Sequence, residues 1–258
     1  MPRYFFEMAY DGTNYHGWQV QPNAASVQAE MNAALLKIFR NPEIYIVGAG
    51  RTDTGVHADY FVAHFDVPEI IDDTERCIFK FNSILPSDIA VYSLQRVEDK
   101  LHSRFSAMSR TYHYRLSLKK NPMMRAYAYK PIFPLDFDLM NVAAQQLLTR
   151  SDFTSFSRLH TNQKTNLCTI DHAQWTEYQN DIWIFEIKAN RFLRNMVRAI
   201  VGTLFDVGRR KITVENFAEI IDSRNRCSAG SSAAACGLSL VDIEYPPGRG
   251  FEAMARKF

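Results

Sequence analysis

Residues 110–118 read RTYHYRLSL, in which Tyr112, Tyr114, Leu116 and Leu118 alternate with Thr111, His113, Arg115 and Ser117. A period of two sends successive side chains to opposite faces of a strand, so this segment has one apolar and one polar face. Strands with one covered face fit antiparallel sheets backed by helices on one side.

The pattern extends in both directions. Downstream, a helix is predicted over 138–148. The runs LCTIDHAQWTEYQ (167–179) and IWIFEIKAN (182–190) then read as a hairpin joined at Asn180-Asp181. FLRNMVRAIVGTLFDVG (192–208) sets Leu193, Met196, Val197, Ile200, Val201 and Leu204 on one helical stripe, with Arg191, Arg194 and Arg198 at its other positions. A short helix over 214–221 and a strand, GLSLVDIEY (237–245), complete this half.

Upstream, RYFFEMAY (3–10) reads as a strand ending at the turn Asp11-Gly12, and Ser26 caps a helix carrying Val27, Met31, Ala34, Leu35 and Ile38. Strands EIYIVGA (43–49) and VHADYFVAHFDV (56–67), a helix over 74–85 and a strand over 89–97 follow. Each half mixes antiparallel strands with helices. The expectation is an α+β fold made by duplication, divided into residues 1–105 and 106–258, with helices on one sheet face and the other open to a ligand.

Composition excludes several classes. With 47% hydrophobic and 22% charged residues the chain is of ordinary globular make-up, and no window approaches the ~20 apolar residues of a membrane span. MPRYFFEMAYDG lacks the apolar core of a signal peptide, so a cytoplasmic location is expected. Cys77, Cys168, Cys227 and Cys236 form no CxxC pair and no metal spacing with the seven histidines; buried thiols in a reducing compartment are expected. The net charge is only +2, but residues 103–130 hold seven Lys or Arg and no acid, and 188–211 hold seven more against Asp206. On one face these segments would attract a polyanion; as two separate surfaces they would be ordinary solvated charge.

GAGRTDTGVHA (48–58) is the chemically suggestive stretch. It lacks the Lys-Ser/Thr pair of a phosphate-binding loop, and a strand, not a helix, follows it. MAYDGT (8–13) is no phosphoryl-transfer motif, because Ala9 stands where a second acid would be needed. Glycosidase chemistry would require a carboxylate partner for Asp53, and none is evident. Two readings stay open: a glycine turn in which Asp53 bonds a nearby amide, or a carboxylate held ionised by an arginine and used as nucleophile or base. Spacing does not say which arginine that would be.

Taken with their neighbours, these residues resemble the TruA-type tRNA pseudouridine synthases. The resemblance rests on YDGTNYHGWQVQ (10–21), GAGRTDTGVHA, Asn82 to Ile89 matching NSxLPxDI, Arg104 to Tyr114 matching RFSAxxRxYxY, Phe192 to Gly202 matching FLRxMVRxIVG, and the closing GLxL at 237–240. It implies a pseudouridine synthase fold whose two α+β halves join across a central cleft, with no cofactor and no metal. It also implies a homodimer acting on the anticodon stem-loop of tRNA at uridines 38, 39 and 40. By resemblance Asp53 acts at C1′, Arg51 displaces the target base, Tyr112 stacks on the flipped uracil, Arg198 pairs with Asp53, and Leu238 packs near the base. Lys119, Lys120 and Arg194 are then expected to grip the tRNA backbone.

Taken singly, Tyr112 could be a core aromatic and Arg198 one of several basic helix positions. The same chemistry on another RNA site, or tRNA binding without catalysis, are the alternatives. Two departures stand out: Thr54 replaces the usual alanine, and Ala233-Ala234-Ala235-Cys236 replaces a pattern with proline before Gly237, which leaves the rigidity of that loop open.

Overall fold

The computed structural model describes residues 1–158, 165–179 and 181–253. They divide into two compact units, Met1–Met108 with Leu240–Phe258, and Ser109–Ser239.

In the first unit, β1 (Arg3–Tyr10) is followed by α1 (Val27–Phe39), β2 (Val47–Gly48), β3 (His57–Asp66), α2 (Thr74–Ile84) and β4 (Ile89–Val97). β1 lies between β3 and β4, antiparallel to both, with Arg3 opposite Asp66 and Val97. Its central position explains its composition: Tyr4, Phe5, Phe6, Glu7 and Met8 are all buried, so both faces of the strand are covered. Phe6 stacks on Phe65 (4.9 Å) and meets Phe81 of α2 edge-on (4.8 Å). Burying each such ring stabilises by about 1.5–3 kcal/mol. Glu7 is tolerated inside because it accepts the Tyr60 hydroxyl (2.7 Å). α1 starts where expected, with Ser26 Oγ accepting the Ala29 amide (3.4 Å), and ends at Arg40 in the left-handed region (φ 53°).

The strand expected over 43–49 shrinks to two residues. The Ile46 amide donates to Asn32 Oδ1 and its carbonyl accepts Gln28 Nε2, each at 2.9 Å, so α1 side chains take the groups a ladder would use.

In the second unit, β5 (Ser109–Ser117), α3 (Phe137–Gln145), β6 (Ile170–Gln179), β7 (Ile182–Ala189), α4 (Met196–Gly208) and α5 (Val214–Asp222) follow in order. β7 is the middle strand, antiparallel to β5 and β6. The opening alternation holds only at the centre of the strand: Tyr114 and Leu116 are buried, with Tyr114 opposite Phe185 and Phe185 opposite Trp175, but Thr111 and Ser117 of the polar set are buried too and Tyr112 and Leu118 are half-buried. Trp175 meets Phe137 of α3 and Phe205 of α4. Of the hairpin turn, Asn180 lies outside the described residues, and Asp181 has a φ of 67°. The last strand, β8 (Leu238–Glu244), begins at the end of this unit and runs into the first, where it neighbours β3.

α4 departs from expectation at its start and in its character. Asn195 adopts a left-handed conformation (φ 65°), so the helix begins at Met196, and Arg191 and Arg194 lie before it. Asn195 Nδ2 donates to Ser232 Oγ (2.7 Å), and the Arg194 carbonyl accepts the Arg158 amide (3.1 Å), which hold the chain out of helical geometry. Eleven of the thirteen helix residues are buried, so α4 is a core helix and not a one-sided surface helix. Among the described residues no helix is long and apolar enough to cross a membrane.

The thiols also divide. Cys77 and Cys168 are buried as expected, and burial pushes both up to about 11. Cys227, on a surface turn, is exposed.

Candidate active site

In the first unit, three separated segments converge on the loop that follows β2. The glycines of GAGRTDTG differ in purpose. A Cβ on Gly48 would run into the Trp18 indole, Gly55 has a φ of +75°, and Gly50 faces open space. The loop rests on the turn after β1, where Gly17 (φ +90°) passes so close to the Thr52 carbonyl that a Cβ would overlap it. Gly12 does the same at the Val56 carbonyl. Only glycine permits these approaches.

Hydrogen bonds complete the cradle. Thr52 Oγ1 accepts the Trp18 amide (3.1 Å) and lies 3.0 Å from the Tyr10 hydroxyl. The Gly55 amide donates to the Tyr15 carbonyl (3.2 Å), and the Val56 amide to the Asp53 carbonyl (3.1 Å). His57 Nδ1 accepts the Gly12 amide at 3.0 Å, with Asp11 Oδ1 also within 3.0 Å. The third segment enters through Asp88, which accepts the Tyr15 hydroxyl (2.6 Å) and, by its carbonyl, the Asp11 amide (2.9 Å). Burial, followed by the Asp88 bond, raises the Tyr15 phenol and keeps it protonated. With Thr52 anchored inward, Asp53 is half-buried and Arg51 exposed. The chain thus holds one carboxylate on a loop fixed by backbone contacts on both sides.

Sequence reasoning assigned no task to Tyr10, Tyr15, Gly17 and Trp18. The signal was present as YDGTNYHGW, whose glycines make sense only beside a second backbone.

In the second unit Tyr112, Arg198 and Leu238 sit on regular elements. Tyr112, in the middle of β5, is half-buried and meets Phe192 edge-on (5.1 Å). Arg198, in the first turn of α4, donates from Nε to the Ala233 carbonyl (2.8 Å), while the Ala233 amide donates to the Arg198 carbonyl (2.9 Å). This double tie anchors the segment that departs from the proline pattern, so the Ala233–Cys236 stretch is held at its first residue. Leu238 is buried at the start of β8. Just before it, a Cβ on Gly237 would lie 2.8 Å from Cζ of buried Tyr114, whose hydroxyl is well raised by desolvation.

Lys119, Lys120 and Arg194 are exposed. Lys119 Nζ lies 2.7 Å from Asp181, a surface pair of small energy. β5 ends at Ser117, five residues beyond Tyr112, and Lys119 lies two residues past that end. Asp53 and Arg51 belong to one unit, and Tyr112, Arg198, Leu238, Lys119, Lys120 and Arg194 to the other. Among the described residues no group of three or more His, Cys, Asp or Glu is arranged to hold a metal ion.

Comparison with known proteins places this geometry in context. A family model described as tRNA pseudouridine synthase matches residues 8–106 and 143–246. The matched stretches contain Arg51, Asp53, Arg198 and Leu238; Tyr112, Lys119 and Lys120 fall between them. The chain is 51% identical over 248 residues to a protein of Bacteroides thetaiotaomicron named tRNA pseudouridine synthase A, covering 95% of this chain and 91% of that one. It is 52% identical over 244 residues to the protein of the same name from Bacteroides fragilis (95% and 96%), and 42% identical over 248 residues to that from Colwellia psychrerythraea (95% and 94%).

Proposed function

Because the chain belongs to the tRNA pseudouridine synthase family, we propose that it isomerises uridine to pseudouridine at positions 38, 39 and 40 of the tRNA anticodon stem-loop, as a cytoplasmic homodimer. In this reaction the C1′–N1 bond breaks, the uracil turns, a C1′–C5 bond forms, C5 gives up its proton and N1 gains one.

The observation that carries the reading is the fixed Asp53 loop. A carboxylate meeting C1′ must hold its position while the base leaves and returns, and backbone contacts from Gly12 and Gly17 supply that rigidity without a flexible side chain. Arg51, exposed two residues earlier, occupies the space left by the displaced base; exposing a base costs a few kcal/mol. Tyr112 stacks on the flipped uracil, with its ring set by Phe192. Arg198 is the proposed partner of Asp53, and the Nε tie to Ala233 fixes the plane of its guanidinium. Leu238 forms the apolar side of the base pocket, and Lys119, Lys120 and Arg194 contact tRNA phosphates.

The test is tritium release from tRNA labelled at uracil C5. The wild-type chain is expected to release it, and Asp53→Asn to be slower by about three orders of magnitude or more. Release by Asp53→Asn at the wild-type rate would remove Asp53 from the chemistry; none by the wild type would end the catalytic reading.

A further inference from the structure

One residue of the RFSAMSRTYHY stretch has no task in this scheme. Phe105 is 76% exposed. A single exposed apolar side chain is ordinary on a protein surface, but the turn that carries this one is fastened at nearly every polar group. Ser103 is fully buried, its Oγ donating to the Val47 carbonyl (2.9 Å), its amide to His64 Nδ1 (3.3 Å), and its carbonyl accepting the Tyr245 hydroxyl. His102 Nδ1 accepts the amides of Arg104 (3.0 Å) and Phe105 (3.3 Å), and the backbones of His102 and Ser106 are bonded to each other. The His102 ring lies against Phe105 (4.4 Å) and edge-on to His64 (4.6 Å). Burial lowers both histidines, His64 to about 3, so the stack is uncharged near neutrality. The Arg104 guanidinium stands 5.5 Å from the Phe105 ring centroid.

We infer that Phe105 is a stacking platform for an unpaired base of the bound RNA, with the neighbouring Arg104 on the backbone of the same nucleotide. This rests on the tRNA reading above. A rigid, exposed π-face beside a cation suits a planar group attached to an anion, which describes a nucleotide. Charge supports the choice over a protein partner, since the Arg104 guanidinium stands beside the ring and the turn from His102 to Met108 carries no acid. Position supports it too: the Val47 carbonyl that holds Ser103 belongs to β2, which leads within four residues to Arg51, a span of at most about 14 Å. The platform and the base-displacing arginine hang from the same short strand.

The test measures tRNA affinity, its salt dependence, tritium release and oligomeric state for Phe105→Ala, Phe105→Leu and Phe105→Tyr in the full chain. The Ala and Leu variants are expected to bind tRNA about tenfold more weakly, with unchanged salt slope, melting temperature and assembly state, while Phe105→Tyr stays within about twofold of wild type. Equal binding by the Leu and Tyr variants, or an Ala variant within about twofold, would overturn the platform. A change of oligomeric state would overturn it in favour of a protein contact. Normal turnover by the wild type beside an unaffected Ala variant sinks the platform alone; a wild type that neither binds tRNA nor releases tritium sinks the tRNA reading and the platform with it.

Discussion

The two units hold their proposed site residues on different kinds of structure. In the first, Asp53 sits on a loop, and its place is set by a second loop through contacts too close for any Cβ. In the second, Tyr112, Arg198 and Leu238 sit on a strand, a helix and a strand start, and inherit their places from the sheet ladder and the core. A loop residue therefore depends on distant backbone, whereas a residue on a regular element depends on the element. Substitutions in the turn after β1 should reach the Asp53 loop, although they lie far from it in sequence.

Gly17→Ala is the strongest way to break that contrast. It places a methyl inside the Thr52 carbonyl and forces a side chain into φ +90°, so a loss of about 3–4 kcal/mol and about 100-fold in tritium release is expected. Denaturant unfolding and single-turnover rates check it; wild-type values for both would show that the loop does not need its cradle.

Acid should strike the first unit next. The folded His64 value, about 3, lies below the unfolded value of about 6.5, so between them the unfolded chain binds the extra proton and stability rises with pH. The benefit is complete above about pH 6.5 and lost on descent to about pH 3, at up to roughly 1.4 kcal/mol per pH unit. Unfolding at pH 4.5 and 7.5 should differ by about 3 kcal/mol from this group, and His64→Gln should flatten the difference. An unchanged pH slope in the variant would refute the assignment.

At Gly237, in the second unit, the expected effect is smaller. Gly237→Ala meets a ring and the Arg115 carbonyl, not a second loop, and should cost about 1–2 kcal/mol with a weaker effect on turnover than Gly17→Ala. A larger effect on turnover than that of Gly17→Ala would reverse the ranking of the units. The smallest expected change is a gain. Ala234 already has φ −56° and ψ 141°, within the range a pyrrolidine ring imposes, so Ala234→Pro should raise stability by about 0.5–1 kcal/mol. A lower melting temperature would show that the ring does not fit.

This contrast also explains what could be read in advance. Strands and helices with a clean period were legible: β4 runs over 89–97 as expected, and Ser26 caps α1. The exceptions arose where a side chain competed with the backbone. Asn32 and Gln28 of α1 removed most of the strand before the Asp53 loop, and Asn195 delayed α4, taking Arg194 off the helix. Neither competition has a period, so neither leaves a pattern. The Asp53 loop was recognisable by its residues but not its rigidity, because Gly12 and Gly17 lie about forty residues away and look like turn glycines until the Val56 and Thr52 carbonyls are beside them.

β8 carries a consequence for biosynthesis. The first unit is assembled from both ends of the chain, since Leu240–Phe258 joins Met1–Met108, whereas Ser109–Ser239 is continuous. During translation the second unit is whole before the first has its last strand, so the part holding Asp53 finishes folding late and across a long loop closure. A nascent chain stopped before residue 240 would leave β3 without its neighbour β8. An open strand edge of that kind invites pairing between chains, so a truncated product should aggregate even though its Asp53 and Arg198 are both present.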